Sequence, residues 1–178
     1  MKIIFKRLPE VQRSEIMKLM TEPRLLKHMP LLSSKFSEAD CDAFVSQKEA
    51  DWAERGYGVW AFYIEGEFVG WGGLQYENGE PDLGLVLHPD HWGKGLELYH
   101  EICTKAFGEM SFEYITVLLP PSRTRLAALC RLGFRRDGEA LIGEERFLRF
   151  CLTNERYRSL RPASFADNMT DARSFMKS

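Results

Sequence analysis

The chain has 178 residues, of which 44% are hydrophobic, and its formal net charge is −2. This length and composition are typical of one domain that buries its own core. The basic residues are scattered, whereas a nucleic-acid binder usually has a basic face. Because the longest apolar run is Val59–Ile64, we expect neither a signal peptide nor a membrane span. We therefore expect a soluble, cytoplasmic protein without nucleic-acid or membrane partners.

The first third of the sequence predicts one strand followed by helices. Lys2–Leu8 is rich in strand-forming residues, and Glu10–Met20 carries apolar residues at helical spacing. Pro23 is typical of the first turn of a short second helix. A longer helix is predicted after Ser37, an N-cap residue, and is expected to end at Gly56.

The rest of the chain predicts a mixed sheet with helices on its faces. Aromatic and β-branched residues flank a tight turn at Gly66, and the stretch "DLGLVLHP" is a third strand of this meander. The later predicted elements are a helix that begins near Gly93, a strand over Phe112–Leu119, a helix with Ser122 as N-cap and Gly133 at its end, and a closing hairpin. The fold class is thus mixed α/β. Residues 153–178 are poor in aliphatic side chains and are interpreted as a C-terminal tail.

No metal site is predicted. The four cysteines are far apart in sequence, without a Cys-x-x-Cys pair, and are interpreted as buried thiols: Cys41, Cys103, Cys130 and Cys151. The short cluster "HPDH" contains His88, Asp90 and His91, but it has no second ligand group at zinc-site spacing.

The stretch "LVLHPDHWGKGLELYHE" combines the end of a strand, two glycines and the start of a helix. It is not a Walker A loop, because His88 stands where the first glycine is required and Gly95 where Ser or Thr is required. The dinucleotide fingerprint fails at its third position, which is Leu98. Helix N–H groups, glycines without Cβ and the charge of Lys94 suit a pyrophosphate. An ordinary strand-to-helix turn is the alternative that local physics leaves open.

Two motifs together resemble the GNAT superfamily of N-acetyltransferases, over about residues 1–152. The segment "LVLHPDHWGKGLE" is similar to the family's acetyl-CoA loop, Gln/Arg-x-x-Gly-x-Gly/Ala, with Trp92, Gly95 and Glu97 at the three defined positions. The form "HWGKG" resembles the branch that contains ribosomal-protein alanine N-acetyltransferases. The segment "SRTRLAALCRLGF" is similar to the family's late helix. The resemblance implies an acetyltransferase domain over 1–152 and a separate tail over 153–178.

The resemblance implies an acetyl-CoA site without a metal. Its pantetheine arm pairs with a strand edge at Val86, Leu87 and His88, near backbone amides that polarise the thioester carbonyl. The implied pyrophosphate seat comprises Trp92, Gly93, Lys94, Gly95, Leu96 and Glu97, with Ser122 and Arg125 from the late helix. Trp71 and Gln75 are expected to line the acceptor pocket.

The chain departs from the family pattern at several positions. Glu97 puts a carboxylate where Gly or Ala is usual, and we expect that it turns away or is neutralised, with Arg125 as one candidate partner. Ser122 replaces the usual Asn. Leu129 stands where the family often has the Tyr that protonates the CoA thiolate.

Asp82 is the predicted catalytic base. A primary amine has a pKa of about 10.4 and must lose a proton before it attacks a thioester. The resemblance places a carboxylate early on the strand before the loop, where Asp82 stands, and Gly84 leaves room beside it. The alternative is that Asp82 only ends the turn "NGEPD", as Asp often does.

The sequence thus predicts acetyl transfer from acetyl-CoA to a primary amine by direct attack in a ternary complex. The acceptor class stays open among a protein N-terminus, a lysine and a small-molecule amine. The alternatives are a non-catalytic acyl-CoA sensor and an interaction module. The chain is expected to be a monomer or a homodimer.

Overall fold

The computed structural model of the chain describes residues 2–27, 29, 35–123 and 126–160. They fall into two compact units, an N-terminal unit over Met1–Ser111 and a C-terminal unit over Phe112–Ser178. Both units combine α-helices with antiparallel strand pairs, which confirms the predicted mixed α/β class.

The N-terminal unit contains four antiparallel strands in the order β1-β2-β3-β4. The strands are β1 (Ile3–Lys6), β2 (Val59–Ile64), β3 (Glu67–Glu77) and β4 (Glu80–Leu87). The helices are α1 (Arg13–Met20), α2 (Pro23–Leu26), α3 (Glu38–Arg55) and α4 (Gly95–Thr104). Short 3₁₀ segments cover Leu8–Glu10 and Pro89–Lys94, and a π-helical turn covers Lys105–Glu109.

Two tight turns fix the register of the meander. Glu65 and Gly66 connect β2 to β3 with φ angles of 53° and 88°, and Asn78 and Gly79 connect β3 to β4 with φ angles of 50° and 83°. Positive φ at both central residues is the hairpin geometry that matches the twist of the flanking strands. The predicted turn at Gly66 is confirmed.

Helix α3 has the ends that its sequence predicts. The Ser37 hydroxyl accepts a hydrogen bond from the Asp40 amide at 3.2 Å, and the Asp40 carboxylate accepts one from the Ser37 amide at 2.8 Å. Such a cap stabilises a helix by about 1 kcal/mol. Gly56 ends the helix in a left-handed conformation, with φ of 73°.

One face of the β2-β3-β4 region packs against α1 and α3. Alternate residues of these strands enter the same buried cluster as the apolar stripes of the helices, as the period of two in a strand requires. The strand members are Val59, Ala61, Tyr63, Trp71 and Val86. The other face meets α4, since a Cβ on Gly95 would lie about 4 Å from the side chains of Leu85 and Leu87.

The C-terminal unit contains three antiparallel strands in the order β5-β7-β6. They are β5 (Tyr114–Leu119), β6 (Arg135–Ile142) and β7 (Glu145–Thr153), with helices α5 (Leu126–Arg131) and α6 (Asn154–Leu160). Helix α6 lies in the predicted tail, and its Tyr157 is 3% exposed. The beginning of the tail is therefore folded. The boundary at residue 152 stays a prediction.

The cysteines are free thiols, and two of them are buried as predicted, Cys41 and Cys103. The prediction is wrong for Cys130, which is exposed on the short helix α5, and for Cys151, which is half-buried on β7. None of the helices described in the structure is long and apolar enough to cross a membrane.

Candidate active site

Asp82 is a strand residue, and its interpretation as a turn residue is wrong. The turn lies at Asn78 and Gly79, and Asp82 follows within β4, directly opposite Gln75 of β3. The Asp82 side chain is buried, with 8% of its surface exposed. Directly paired residues of two strands project on the same face, so the Asp82 carboxylate and the Gln75 amide share one surface.

Gly84 makes room for the side chain of Gln75. A Cβ at Gly84 would come within 2.6 Å of Gln75 Nε2, so any larger residue would displace that amide. The expected free space beside Asp82 is thus partly filled by Gln75. From the helix side, the Lys48 ammonium of α3 donates a hydrogen bond to Gln75 Oε1. A lysine, an amide and a carboxylate therefore follow one another across this face.

Sequence reasoning missed Lys48. Its ammonium lies 5.9 Å from the ring centroid of Phe44 and 5.8 Å from that of Trp71. Burial lowers the pKa of Lys48, and Asp51 and Glu77 only partly oppose that shift. The signal that could have found it is its position one turn after Phe44, which belongs to the predicted apolar stripe of α3.

Trp71 places a polar group, its indole N–H, in a buried position. Its side chain is 5% exposed, and its indole N–H has no hydrogen-bond partner in the part of the chain that the structure describes. A buried donor without a partner costs about 1–3 kcal/mol. Trp71 and Gln75, which the resemblance assigns to the acceptor pocket, thus lie on the same face as Asp82.

At the end of β4, some backbone groups point toward β3 and others point away from it. The His88 amide donates to the carbonyl oxygen of Val69 at 2.8 Å, so it is used within the β3–β4 ladder. Because successive residues of a ladder alternate in direction, the backbone groups of Leu87 point away from β3. The Leu87 carbonyl oxygen accepts a 3.0 Å hydrogen bond from the Trp92 indole. Of the predicted edge at Val86, Leu87 and His88, the Leu87 N–H is the group that points outward.

The loop before α4 is tighter than predicted. Pro89–Lys94 is a 3₁₀ segment, and α4 begins at Gly95 rather than near Gly93. The Gly95 amide donates to the carbonyl oxygen of Trp92, so it is not free for an anion. The first turn of α4 contains Leu96 and Glu97, and first-turn N–H groups have no carbonyl partner within their own helix.

The residues of this loop fit a pyrophosphate. A Cβ on Gly93 would have no atom within 4 Å, so the backbone there is open to close approach. Lys94 supplies a cation beside the positive end of the α4 dipole. The Lys94 ammonium also lies 3.9 Å from the Glu97 carboxylate, which partly neutralises that carboxylate.

Glu97 turns toward β1. It lines a groove of about 520 Å³ together with Glu101, Lys105 and the residues of β1. Its neighbour of opposite charge is Lys94, whereas Arg125, the predicted partner, lies outside the described residues.

An ionic network links α2 to the loop. Arg24 bonds Glu22 at 2.9 Å and Asp90 at 2.9 Å, and the two nitrogens of His88 lie 3.7 Å from Glu22 and 3.5 Å from Asp90. The hydrogen bonds from Arg24 hold the pKa values of Glu22 and Asp90 below their usual range. Within the parts of the chain that the structure describes, no group of three His, Cys, Asp or Glu side chains is placed to hold a metal ion.

The late-helix segment differs from its predicted structure. Ser122 lies in an exposed turn and the next residue, Arg123, is not helical, so the interpretation of Ser122 as N-cap is wrong. Within the expected helix over 122–133, Leu126–Arg131 form α5. Leu129 lies in α5 and has no ionisable group for the thiolate.

Residues 3–135 match the family described as Acetyltransferase (GNAT) domain, which is most of the chain. The chain belongs to the GNAT acetyltransferase family. As a GNAT domain it is an acetyltransferase of a family that uses acetyl-CoA. The predicted superfamily is thereby confirmed, whereas the alanine N-acetyltransferase branch stays a prediction.

Solved structures share the fold of this GNAT domain. A GNAT-family acetyltransferase from Bordetella pertussis matches with a TM-score of 0.68 at 14% identity, over 85% of this chain and 95% of that one. The aminoglycoside acetyltransferase AAC(6')-Ib in complex with coenzyme A matches with a TM-score of 0.66 at 15% identity, over 90% and 99% of the two chains. A spermidine N-acetyltransferase chimera of SpeG from Vibrio cholerae and hSSAT matches with a TM-score of 0.63 at 14% identity, over 89% of this chain and 99% of that one.

Proposed function

We propose that the protein transfers the acetyl group of acetyl-CoA to a primary amine, with Asp82 as general base. The observation that carries this proposal is the buried carboxylate of Asp82 on β4, the strand that leads into the glycine loop. The Asp82 carboxylate is held on rigid backbone, and β4 continues to the residues proposed to bind the cosubstrate.

The proposed cosubstrate site lies along the end of β4 and the start of α4. The pantetheine arm pairs with the outward backbone groups around Leu87, and the pyrophosphate meets the open backbone at Gly93 and the first turn of α4. The remaining proposed contacts are Val86, His88, Trp92, Lys94, Gly95, Leu96, Glu97, Ser122 and Arg125. Support comes from the open space at Gly93 and from the charge of Lys94.

The proposed reaction is a direct attack in a ternary complex. The amine nitrogen forms a bond to the thioester carbon, the carbon–sulfur bond breaks, and the amine proton passes to Asp82. The departing thiol has a pKa of about 8.5, so the thiolate leaves without a strong acid. The proposed reaction therefore does not need an acidic side chain at Leu129, where the family often has a Tyr.

The proposed acceptor is a primary amine of a small molecule, a lysine or a protein N-terminus. The neighbouring folds include enzymes named for spermidine and for aminoglycosides, both of which are amines. The "HWGKG" sequence supports the alanine N-acetyltransferase-like branch, in which the acceptor is a protein N-terminus. We propose a monomer or a homodimer that acts in the cytoplasm.

A catalytically silent acyl-CoA sensor is the second candidate function. Glu97 at the pyrophosphate seat and Leu129 in place of Tyr favour it. Isothermal titration with acetyl-CoA and a thiol-release screen over amines separate the two functions. Binding with thiol release supports the enzyme, and binding without release on any amine supports the sensor. No binding at high micromolar acetyl-CoA would contradict both functions.

A further inference from the structure

Two hydrogen-bond donors on the α3-facing side of the sheet indicate which chemical group the amine substrate carries. We call them the donor pair: the ammonium of Lys48 and the indole N–H of Trp71. The Lys48 Nζ lies 5.8 Å from the centroid of the Trp71 ring and 5.9 Å from that of Phe44, and the two ring centroids lie 5.0 Å apart.

The indole N–H of Trp71 is unusual within this chain. Trp52 donates to the carbonyl of Val59 at 2.9 Å and Trp92 to that of Leu87 at 3.0 Å. The Trp71 N–H is buried, and it has no partner among the residues that the structure describes. Buried donors in native proteins are nearly always paired, with protein, water or ligand. The unpaired N–H therefore indicates an acceptor atom that the described part of the chain does not supply.

The positive charge of the Lys48 ammonium is likewise only partly compensated by its neighbours. Its hydrogen-bond partner is the neutral amide of Gln75, and the carboxylates of Asp51 and Glu77 only partly oppose the effect of burial. Burial disfavours the charged form, as the lowered pKa of Lys48 reflects. A buried cation is stabilised by a hydrogen-bonded anion.

The donor pair adjoins the proposed general base. Lys48 bonds Gln75, and Gln75 lies directly opposite Asp82 in the β3–β4 ladder. An acceptor whose amine meets Asp82 therefore brings its neighbouring atoms toward Gln75 and Lys48.

We propose that the donor pair binds a carboxylate of the acceptor, so that the substrate is an amine that carries a carboxylate, as amino acids do. This inference rests on the proposed function. A carboxylate is an acceptor-only group with several lone-pair sites, which satisfies an ammonium and an indole N–H together. A polycationic amine without a carboxylate is repelled by the positive charge of Lys48.

The first test compares amino acids with their amides, which keep the amine and lose the carboxylate charge. We expect the preferred amino acid to have a kcat/KM at least about tenfold above its amide, as a charge-assisted hydrogen bond provides. Lys48→Met should remove this preference mainly through KM, Lys48→Arg should retain part of it, and Trp71→Phe should reduce it. Lys105→Met is the matched control, because Lys105 also lies near two aromatic rings, Phe5 and Trp60.

Equal rates on acids and amides, or a preference that survives in Lys48→Met, would overturn the inference and leave acetyl transfer to amines intact. A second readout does not depend on activity. In protein labelled with ¹⁵N-tryptophan, the indole resonance that disappears in Trp71→Phe should shift when the common amino acids are titrated in the presence of CoA, and it should not shift with their amides. If the resonance does not shift with any amino acid, no substrate carboxylate pairs with the Trp71 indole. That result would overturn the inference even if no acceptor were acetylated.

Discussion

The indole of Trp92 is hydrogen-bonded to the carbonyl oxygen of Leu87 at 3.0 Å, which ties the glycine loop back to the end of β4. Trp92 is otherwise 47% exposed, so its ring is not part of the core. The bond holds the start of the loop in one position while the backbone at Gly93 remains open to a ligand.

Trp92→Phe keeps an aromatic ring and removes this bond. Because such a bond is worth about 0.5–1.5 kcal/mol, we expect the Kd for acetyl-CoA to rise about 2- to 10-fold. Isothermal titration measures it. The control is Trp52→Phe, which removes an indole bond to Val59 on the core side and should lower Tm without weakening acetyl-CoA binding. An unchanged Kd in Trp92→Phe would show that the loop is held by other contacts.

Glu97→Ala should tighten acetyl-CoA binding. The change removes a carboxylate from the first turn of α4 and releases Lys94 from its 3.9 Å contact. Because both side chains are partly exposed, we expect a Kd about two- to fivefold lower at low salt and a smaller change at high salt. Glu101→Ala, one turn further along α4 in the same groove, is the control for the loss of charge. Weaker binding in Glu97→Ala would mean that this carboxylate takes part in the site.

Arg24→Gln tests the link between α2 and the loop. Glu22 and Asp90 have folded-state pKa values below their ordinary values of 4.5 and 3.8. Their interaction with Arg24 therefore stabilises the fold fully above those ordinary values and is lost as the pH falls through the lowered ones. We expect Arg24→Gln to lower Tm slightly at pH 7 and to have no effect once both carboxyls are protonated.

NMR titration of the carboxyl groups measures the effect of Arg24 on the pKa of Asp90 directly. The pKa of Asp90 should rise in Arg24→Gln and stay unchanged in Arg13→Gln, which breaks comparable exposed pairs with Glu38 and Asp42. An Asp90 pKa that does not respond to Arg24→Gln would exclude the link.

Features governed by local sequence were predicted well. The turn at Gly66 and the caps of α3 at Ser37 and Gly56 each depend on a few adjacent residues. These positions have strong local preferences that the tertiary structure did not override.

Features governed by tertiary contacts were not predictable. The sequence around Asp82 is compatible with both a turn and a strand, because only the Asn78–Gly79 hairpin fixes its register. Lys48 was missed because a lysine on a helix is usually solvated, and its burial depends on Phe44 and Trp71 from two elements. Residue type alone predicts Ser122 as a cap, whereas the residue that follows it, Arg123, is not helical.

The activity of Asp82→Asn tests the central claim most directly. The substitution keeps the size of the side chain and removes its basicity, so kcat should fall about 10²- to 10⁴-fold. The Kd for acetyl-CoA should stay within about twofold, since Asp82 lies on β4 before the proposed pyrophosphate seat. Glu80→Gln, two residues earlier on the same strand, should retain activity. A thiol-release assay in which Asp82→Asn keeps the wild-type kcat would remove Asp82 from its proposed role.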